Sequence, residues 1–194
     1  MQHENLNAAS LGGASLSFQK GLSEKAEAHG SYHVECFDAD GNLKWADEIE
    51  NLVTTVGKNL ALDTFLAGSA YTVVGPYLGL INTNASAAAI GDTMASHAGW
   101  LEVGLANAPL YTGPRKTLSW SAASAGSKAT SAAASFAIIT TGGTVGGCFL
   151  VFGSGALSTI DNTGGTLYSA GAFTGGSKVV APGDTLNVTY TASL

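Results

Sequence analysis

The chain has 194 residues, of which 45% are hydrophobic and only 11% are charged, whereas about a quarter of the residues of an average soluble domain are charged. This length suits one domain, with or without an extended arm. The net charge is −6 and Lys and Arg form no cluster, which argues against direct nucleic-acid binding. No apolar run approaches the ~18–20 residues that cross a bilayer, and residues 1–30 lack the pattern of a signal peptide, so no membrane partner is expected.

Residues 1–30 predict an extended N-terminal arm. They contain scattered apolar side chains and a Gly-Gly pair, but no sustained period of two or of about 3.6 residues that would indicate a core strand or helix. One interpretation is a frayed terminus. The other is a tether that binds a neighbouring subunit through four apolar anchors, Leu11, Leu16, Phe18 and Leu22.

The next segment predicts a β-hairpin, with strands at 31–37 and 43–46 and a turn at 38–42. The turn contains an Asp-Gly step, which tolerates the backbone conformation that tight hairpins need. A calcium-binding loop would place its glycine later in the sequence, so the hairpin is preferred. Alternation puts Tyr32, Val34 and Cys36 on one face of the first strand, with Trp45 packing across from them.

One helix is predicted at residues 52–66, where apolar residues recur at steps of three and four and Gly68 follows as a candidate C-terminal cap. Residues 82–92 read as a long surface loop. Short apolar segments separated by Gly, Asn, Ser and Pro predict strands at 77–81, 100–103, 116–121, 135–141, 145–152, 166–169, 177–180 and 185–192. In the last of these, after a turn at 181–184, the inward residues are Leu186, Val188 and Tyr190.

This pattern predicts an all-β fold, with a β-sandwich or jelly-roll-like domain over 31–194, one short helix and the extended arm over 1–30. Cys36 and Cys148 lie far apart in the sequence and outside any metal or redox motif. They are interpreted as reduced thiols packed in the core.

No enzyme is predicted, because the chain contains neither a G-x-S-x-G nucleophile elbow nor a P-loop. We therefore assign no catalytic, cofactor-binding or metal-binding residue and expect no cofactor. An alternative places a divalent cation between Asp92, His97 and Glu102, since imidazole and carboxylate are ordinary ligands. The preferred interpretation is that Asp92-Thr93 caps a short helical turn, His97 bonds locally and Trp100 packs in the core.

Residues 43–63, with a Trp-bearing hairpin that runs into Asn-x-Val-Thr and a short helix, resemble a stretch common in tailed-phage virion proteins. Further segments are similar in order to phage structural proteins, namely 77–80, 92–93, 97–102, Arg115, Phe136, 147–150, 167–169 and 183–186. The resemblance spans roughly residues 31–194 and leaves out the arm.

The resemblance implies a non-enzymatic virion component and transfers no catalytic residue. The expected role is a capsid decoration or cement protein on the outer head surface, with the major capsid protein and identical subunits, as a homotrimer, for partners. A head–tail adaptor or a tail or fibre component, including a receptor-binding module, is the alternative. Scarce charge suits close contact between identical subunits, where an unpaired buried charge is costly.

Overall fold

The computed structural model describes residues 28–66, 74–82 and 88–194. The first sheet contains β1 (His29–Phe37), β2 (Leu43–Glu50), β6 (Ser127–Ala129), β7 (Ala134–Ala137) and β12 (Thr185–Ser193). The second contains β3 (Leu52–Val53), β4 (Tyr77–Ile81), β5 (Lys116–Thr117), β9 (Gly147–Phe152) and β10 (Thr166–Ala172). A two-stranded sheet joins β8 (Gly143–Val145) to β11 (Lys178–Val180), and the helix α1 is Thr55–Leu66.

The paired strands are antiparallel, so the predicted all-β fold with one short helix is confirmed for the described residues. The first sheet runs in the order β2-β1-β12, with β7 and β6 both paired to β12. The second runs β3-β10-β9-β4-β5. Jelly-roll connectivity stays a prediction.

The two sheets share one hydrophobic core, which is the packing of a β-sandwich. The first sheet contributes buried residues that include Tyr32, Val34, Cys36, Phe136, Leu186, Val188 and Tyr190. The second contributes Leu78, Leu80, Cys148 and Leu150. A hydrogen bond of 2.8 Å between the Tyr32 hydroxyl and Ser169 Oγ connects the sheets. The inward faces predicted for β1 and β12 are therefore confirmed.

The second sheet is buried on its outer face as well. Phe149 and Val151 of β9 belong to a second apolar cluster that also contains Met94, Trp100 and Leu167. This is why β9 reads as an unbroken apolar run in the sequence rather than as an alternating one. The segment around Trp100 covers this face.

The predicted N-terminal hairpin is confirmed and is longer than expected. Asp38 Oδ1 accepts backbone N–H bonds from Asp40 at 3.0 Å and Asn42 at 2.8 Å, and Gly41 has a φ of 84°. Hydrogen bonds from Asn42 and Asp40 lower the pKa of the Asp38 carboxyl. Trp45 lies opposite Cys36 in the register, as predicted.

The prediction of a strand at 100–103 is wrong. The segment makes one isolated bridge, between Ile81 and Glu102, because its side chains have separate tertiary contacts: Trp100 enters the outer cluster and Glu102 binds a buried arginine. Of the predicted strand at 116–121, only the first two residues form β5.

Further differences concern the limits and the number of the strands. The predicted strand at 135–141 ends at Ala137 as β7, and the one at 166–169 continues to Ala172 as β10. The predicted strand at 145–152 is interrupted at Gly146, whose N–H donates to Ile81 O and whose carbonyl accepts from Phe173 N. The short strand β6 was not predicted, because its sequence, Ser-Lys-Ala, has no apolar alternation.

The helix begins later than predicted. Leu52 and Val53 pair with β10 as β3, and α1 starts at Thr55. Gly68, the predicted cap, and residues 83–87 of the predicted loop lie outside the described residues. No helix within the described ranges is long and apolar enough to span a membrane.

Both cysteines are free and buried, as predicted. Burial, together with the neighbouring Asp184 carboxylate, raises the pKa of the Cys36 thiol to about 11. Burial also raises the pKa of Cys148. The two thiols therefore serve as packed, protonated core groups.

Candidate functional site

The start of α1 is fixed on a β-bulge in β10. The pairing of β10 with β9 shifts between Leu167 and Ser169, so the bulged Tyr168 keeps its carbonyl available. That carbonyl accepts from Thr54 N at 2.9 Å. Thr54 Oγ1 donates to Leu167 O and accepts from Gly57 N at 3.0 Å, the bond of an N-cap.

Gly57 allows the helix to approach β10 closely. A Cβ at this position would lie 2.4 Å from Tyr168 O and 2.8 Å from Tyr168 Cα. No side chain fits against a backbone at that distance, so glycine is required there. Gly57 is the buried residue of α1, and the contact anchors the first half of the helix on the sheet.

The second half of α1 carries large apolar side chains that the described residues leave exposed. The exposed fractions are 55% for Leu62, 85% for Phe65 and 69% for Leu66. Exposed apolar residues are ordinary when scattered singly, whereas a contiguous group marks a surface for a partner.

These side chains form one wall of an apolar groove of about 570 Å³. The groove is lined by Ala61, Leu62, Thr64, Phe65, Pro76, Trp120, Lys128, Leu150, Phe152, Tyr168, Tyr190, Ala192 and Leu194. Its volume falls within the range of roughly 300–1,000 Å³ typical of pockets that bind small organic ligands.

The floor of the groove is the end of the sandwich core. Leu150 and Tyr190 belong to the core shared by the two sheets. Trp120 packs edge-on against Tyr190 with ring centroids 6.0 Å apart, and Phe152 lies 4.9 Å from Tyr168. A side chain that entered the groove would therefore extend the core itself.

The groove offers hydrophobic burial rather than acid–base chemistry. Among the described residues that line it, only Lys128 has a charged side chain, and its Nζ donates to Ser121 O at 2.9 Å. Burial raises the pKa of the Tyr168 and Tyr190 hydroxyls, so both stay neutral at neutral pH. The Tyr190 hydroxyl accepts from Asn51 Nδ2 at 2.8 Å.

A buried ion pair lies elsewhere, beneath the outer face of the second sheet. Arg115 Nε donates to Glu102 Oε1 at 2.8 Å and Nη2 donates to Oε2 at 2.7 Å. The exposed fractions of these side chains are 0% and 5%. Arg115 also donates to the carbonyls of Leu157 and Asn162, and Glu102 accepts from Asp161 N. The pair therefore connects three loops.

The residues of the alternative metal site have separate partners. Asp92 Oδ2 accepts from Ala89 N at 3.0 Å, so Asp92 does not cap the turn that follows it. Thr93 does, because its Oγ1 accepts from Ser96 N at 3.1 Å. His97 Nδ1 donates to Trp100 O at 3.0 Å, and the imidazole ring stacks on the Trp100 ring. Trp100 is buried, as the preferred interpretation stated. Glu102 binds Arg115, and no group of three metal-ligating side chains occurs within the described ranges.

Sequence reasoning missed both the groove and the buried pair. The predicted arm anchors, Leu11, Leu16, Phe18 and Leu22, lie outside the described residues, so their role stays a prediction. A signal for the groove was present: Leu62 follows Leu60 by two residues, which places them on nearly opposite sides of a helix. A helix with two apolar sides cannot bury both against one sheet.

No protein family, curated protein or solved structure matches the chain. Function is therefore inferred from the groove, the distribution of charge and the resemblance of the quoted sequence segments.

Proposed function

We propose that the chain is a non-enzymatic structural protein of a tailed-phage particle. Its role would be that of a capsid decoration or cement subunit, which binds the major capsid protein lattice on the outer head surface and stabilises the head. The exposed apolar groove carries the assembly part of this proposal, since a contiguous exposed apolar surface marks an interaction site. The sequence resemblance supplies the phage setting.

The distribution of charge supports an assembly role. Three of the cationic side chains form ion pairs within the subunit: Arg115 with Glu102, Lys44 with Asp184 at 2.5 Å, and Lys178 with Asp47 at 2.7 Å. With eight Lys and Arg in the whole chain, little positive charge is left for the surface. Since only 11% of the residues are charged, much of the surface can make close contacts without burying an unpaired charge.

We predict that the purified chain forms a homotrimer, as the resemblance implies, whose association is insensitive to salt. Apolar contacts are not screened by ions, whereas exposed ion pairs are. Light scattering should give about three times the subunit mass of 19.4 kDa, at low and at high sodium chloride concentration alike. A monomer at high protein concentration, or a trimer that dissociates in salt, would contradict this prediction.

The position on the particle is tested by copy number. Quantitative mass spectrometry of purified particles should find hundreds of copies, in a fixed ratio to the major capsid protein, because a decoration subunit repeats with the lattice. A dozen copies or fewer would instead indicate a head–tail adaptor or a tail or fibre component. Absence from the particle would overturn the proposed function.

A further inference from the structure

The described chain begins beside the groove. In the register of β1 and β12, His29 lies opposite Ser193 and Gly30 opposite Ala192. Directly opposed residues of an antiparallel pair share a face, and Ala192 lines the groove. Residues 1–27, which precede the described part of β1, are therefore joined to the domain at the rim of the groove.

These residues have the composition that the groove requires. Their four predicted anchors, Leu11, Leu16, Phe18 and Leu22, are large and apolar, and the described part of the groove lining is mainly apolar, with Lys128 and Thr64 as its polar members. An extended chain of this length spans at most roughly 90 Å, so the anchors can reach well beyond their own domain. The arm and the groove are thus chemically matched.

We propose that the groove of each subunit binds the arm of a neighbouring copy, with residues 11–22 as the bound segment. The inference rests on the proposed assembly function and names the partner of the groove. The anchors would enter beside Phe65 and Trp120 and extend the sandwich core, so that each subunit completes the core of the next.

The charge of the segment that joins the arm to β1 favours a neighbouring copy over the same chain. Followed from β1 towards the N-terminus, the chain passes Ala192 and then Ser193, beside the groove of its own subunit. The residues that follow at this place, 23–27, contain Glu24, Lys25 and Glu27. This composition suits a crossing through solvent between subunits better than a position along an apolar groove.

The test uses full-length chains with one half of the contact removed. The groove variant is Leu62→Asp/Phe65→Asp, and the arm variant is Leu16→Asp/Phe18→Asp. Each should weaken self-association by about 100-fold, because two apolar anchors or their partners are lost. The control Leu105→Asp changes a loop leucine that is 64% exposed and should associate like the unmodified chain.

Mixing the arm variant with the groove variant tests whether the groove binds the arm of another chain. The arm variant keeps an intact groove and the groove variant an intact arm, so a mixture should form one-to-one heterodimers, detected by co-purification through a tag on one chain. The proposal is overturned if either variant self-associates normally, or if the mixture stays monomeric. The proposed function is tested by a different measurement, the presence of the unmodified chain on particles. If the chain is present there, the proposed function stands even when the arm does not bind the groove. If the chain is absent from particles, the proposed function is overturned whatever the variants show.

Discussion

Replacing Arg115 with Met is expected to lower the free energy of unfolding by about 3–5 kcal/mol, because it leaves the Glu102 carboxylate buried without its partner. The substitution also removes the hydrogen bonds to the carbonyls of Leu157 and Asn162. Since Arg115 lies 5.3 Å from the centroid of the Phe149 ring, packing on the outer face of the second sheet is lost as well. Urea denaturation followed by tryptophan fluorescence measures the change.

Three further variants separate charge from geometry. Arg115→Lys keeps the charge but cannot form the paired bonds to Glu102. Its free energy of unfolding should therefore lie between those of Arg115→Met and the unmodified chain. The double variant Arg115→Met/Glu102→Leu should recover much of the loss, because apolar replacement of both partners is often nearly neutral. Asp63→Asn, at an exposed carboxylate of α1 outside the groove lining, should change stability by no more than about 0.5 kcal/mol. An Arg115→Met loss no larger than that of Asp63→Asn would show that the pair does not connect the loops as described.

Gly57→Val should destabilise the chain by about 1–3 kcal/mol and weaken its self-association, because the new side chain collides with the backbone of β10. The colliding atoms, Tyr168 O and Cα, belong to the sheet and cannot rotate away. The helix must move, and since its second half is one wall of the groove, the groove changes shape with it. Chemical denaturation and light scattering measure the two effects.

The direction in which Gly57→Ala changes the free energy of unfolding shows whether α1 is docked on the sheet or free. In a helix exposed to water, Ala is more favourable than Gly by about 1 kcal/mol, so a free α1 would be stabilised. A docked α1 should instead be destabilised, since even a methyl group would lie 2.4 Å from Tyr168 O. Gly91→Ala is the matched control, because a methyl group on Gly91 would have no atom within 4 Å beyond its chain neighbours. Stabilisation by Gly57→Ala would contradict the docking of α1 on the bulge.

Local pattern was sufficient to predict much of the β-domain. The alternation of Tyr32, Val34 and Cys36, and of Leu186, Val188 and Tyr190, identifies the buried faces of β1 and β12, because side chains on a strand point to opposite sides in turn. The Asp-Gly step between β1 and β2 predicts the hairpin, because it accommodates the turn without strain. These are properties of neighbouring residues, and the sequence displays them directly.

The groove and the buried ion pair depend on contacts between distant parts of the chain. Whether α1 turns Gly57 or Phe65 to the sheet is decided by the bulge at Tyr168, which lies more than a hundred residues later. Glu102 and Arg115 are 13 residues apart, but the carbonyls of Leu157 and Asn162 that also bind Arg115 lie 42 and 47 residues beyond it. Periodicity shows which side chains need burial, but the surface that buries them, or leaves them exposed for a partner, is determined only when the sheets pack.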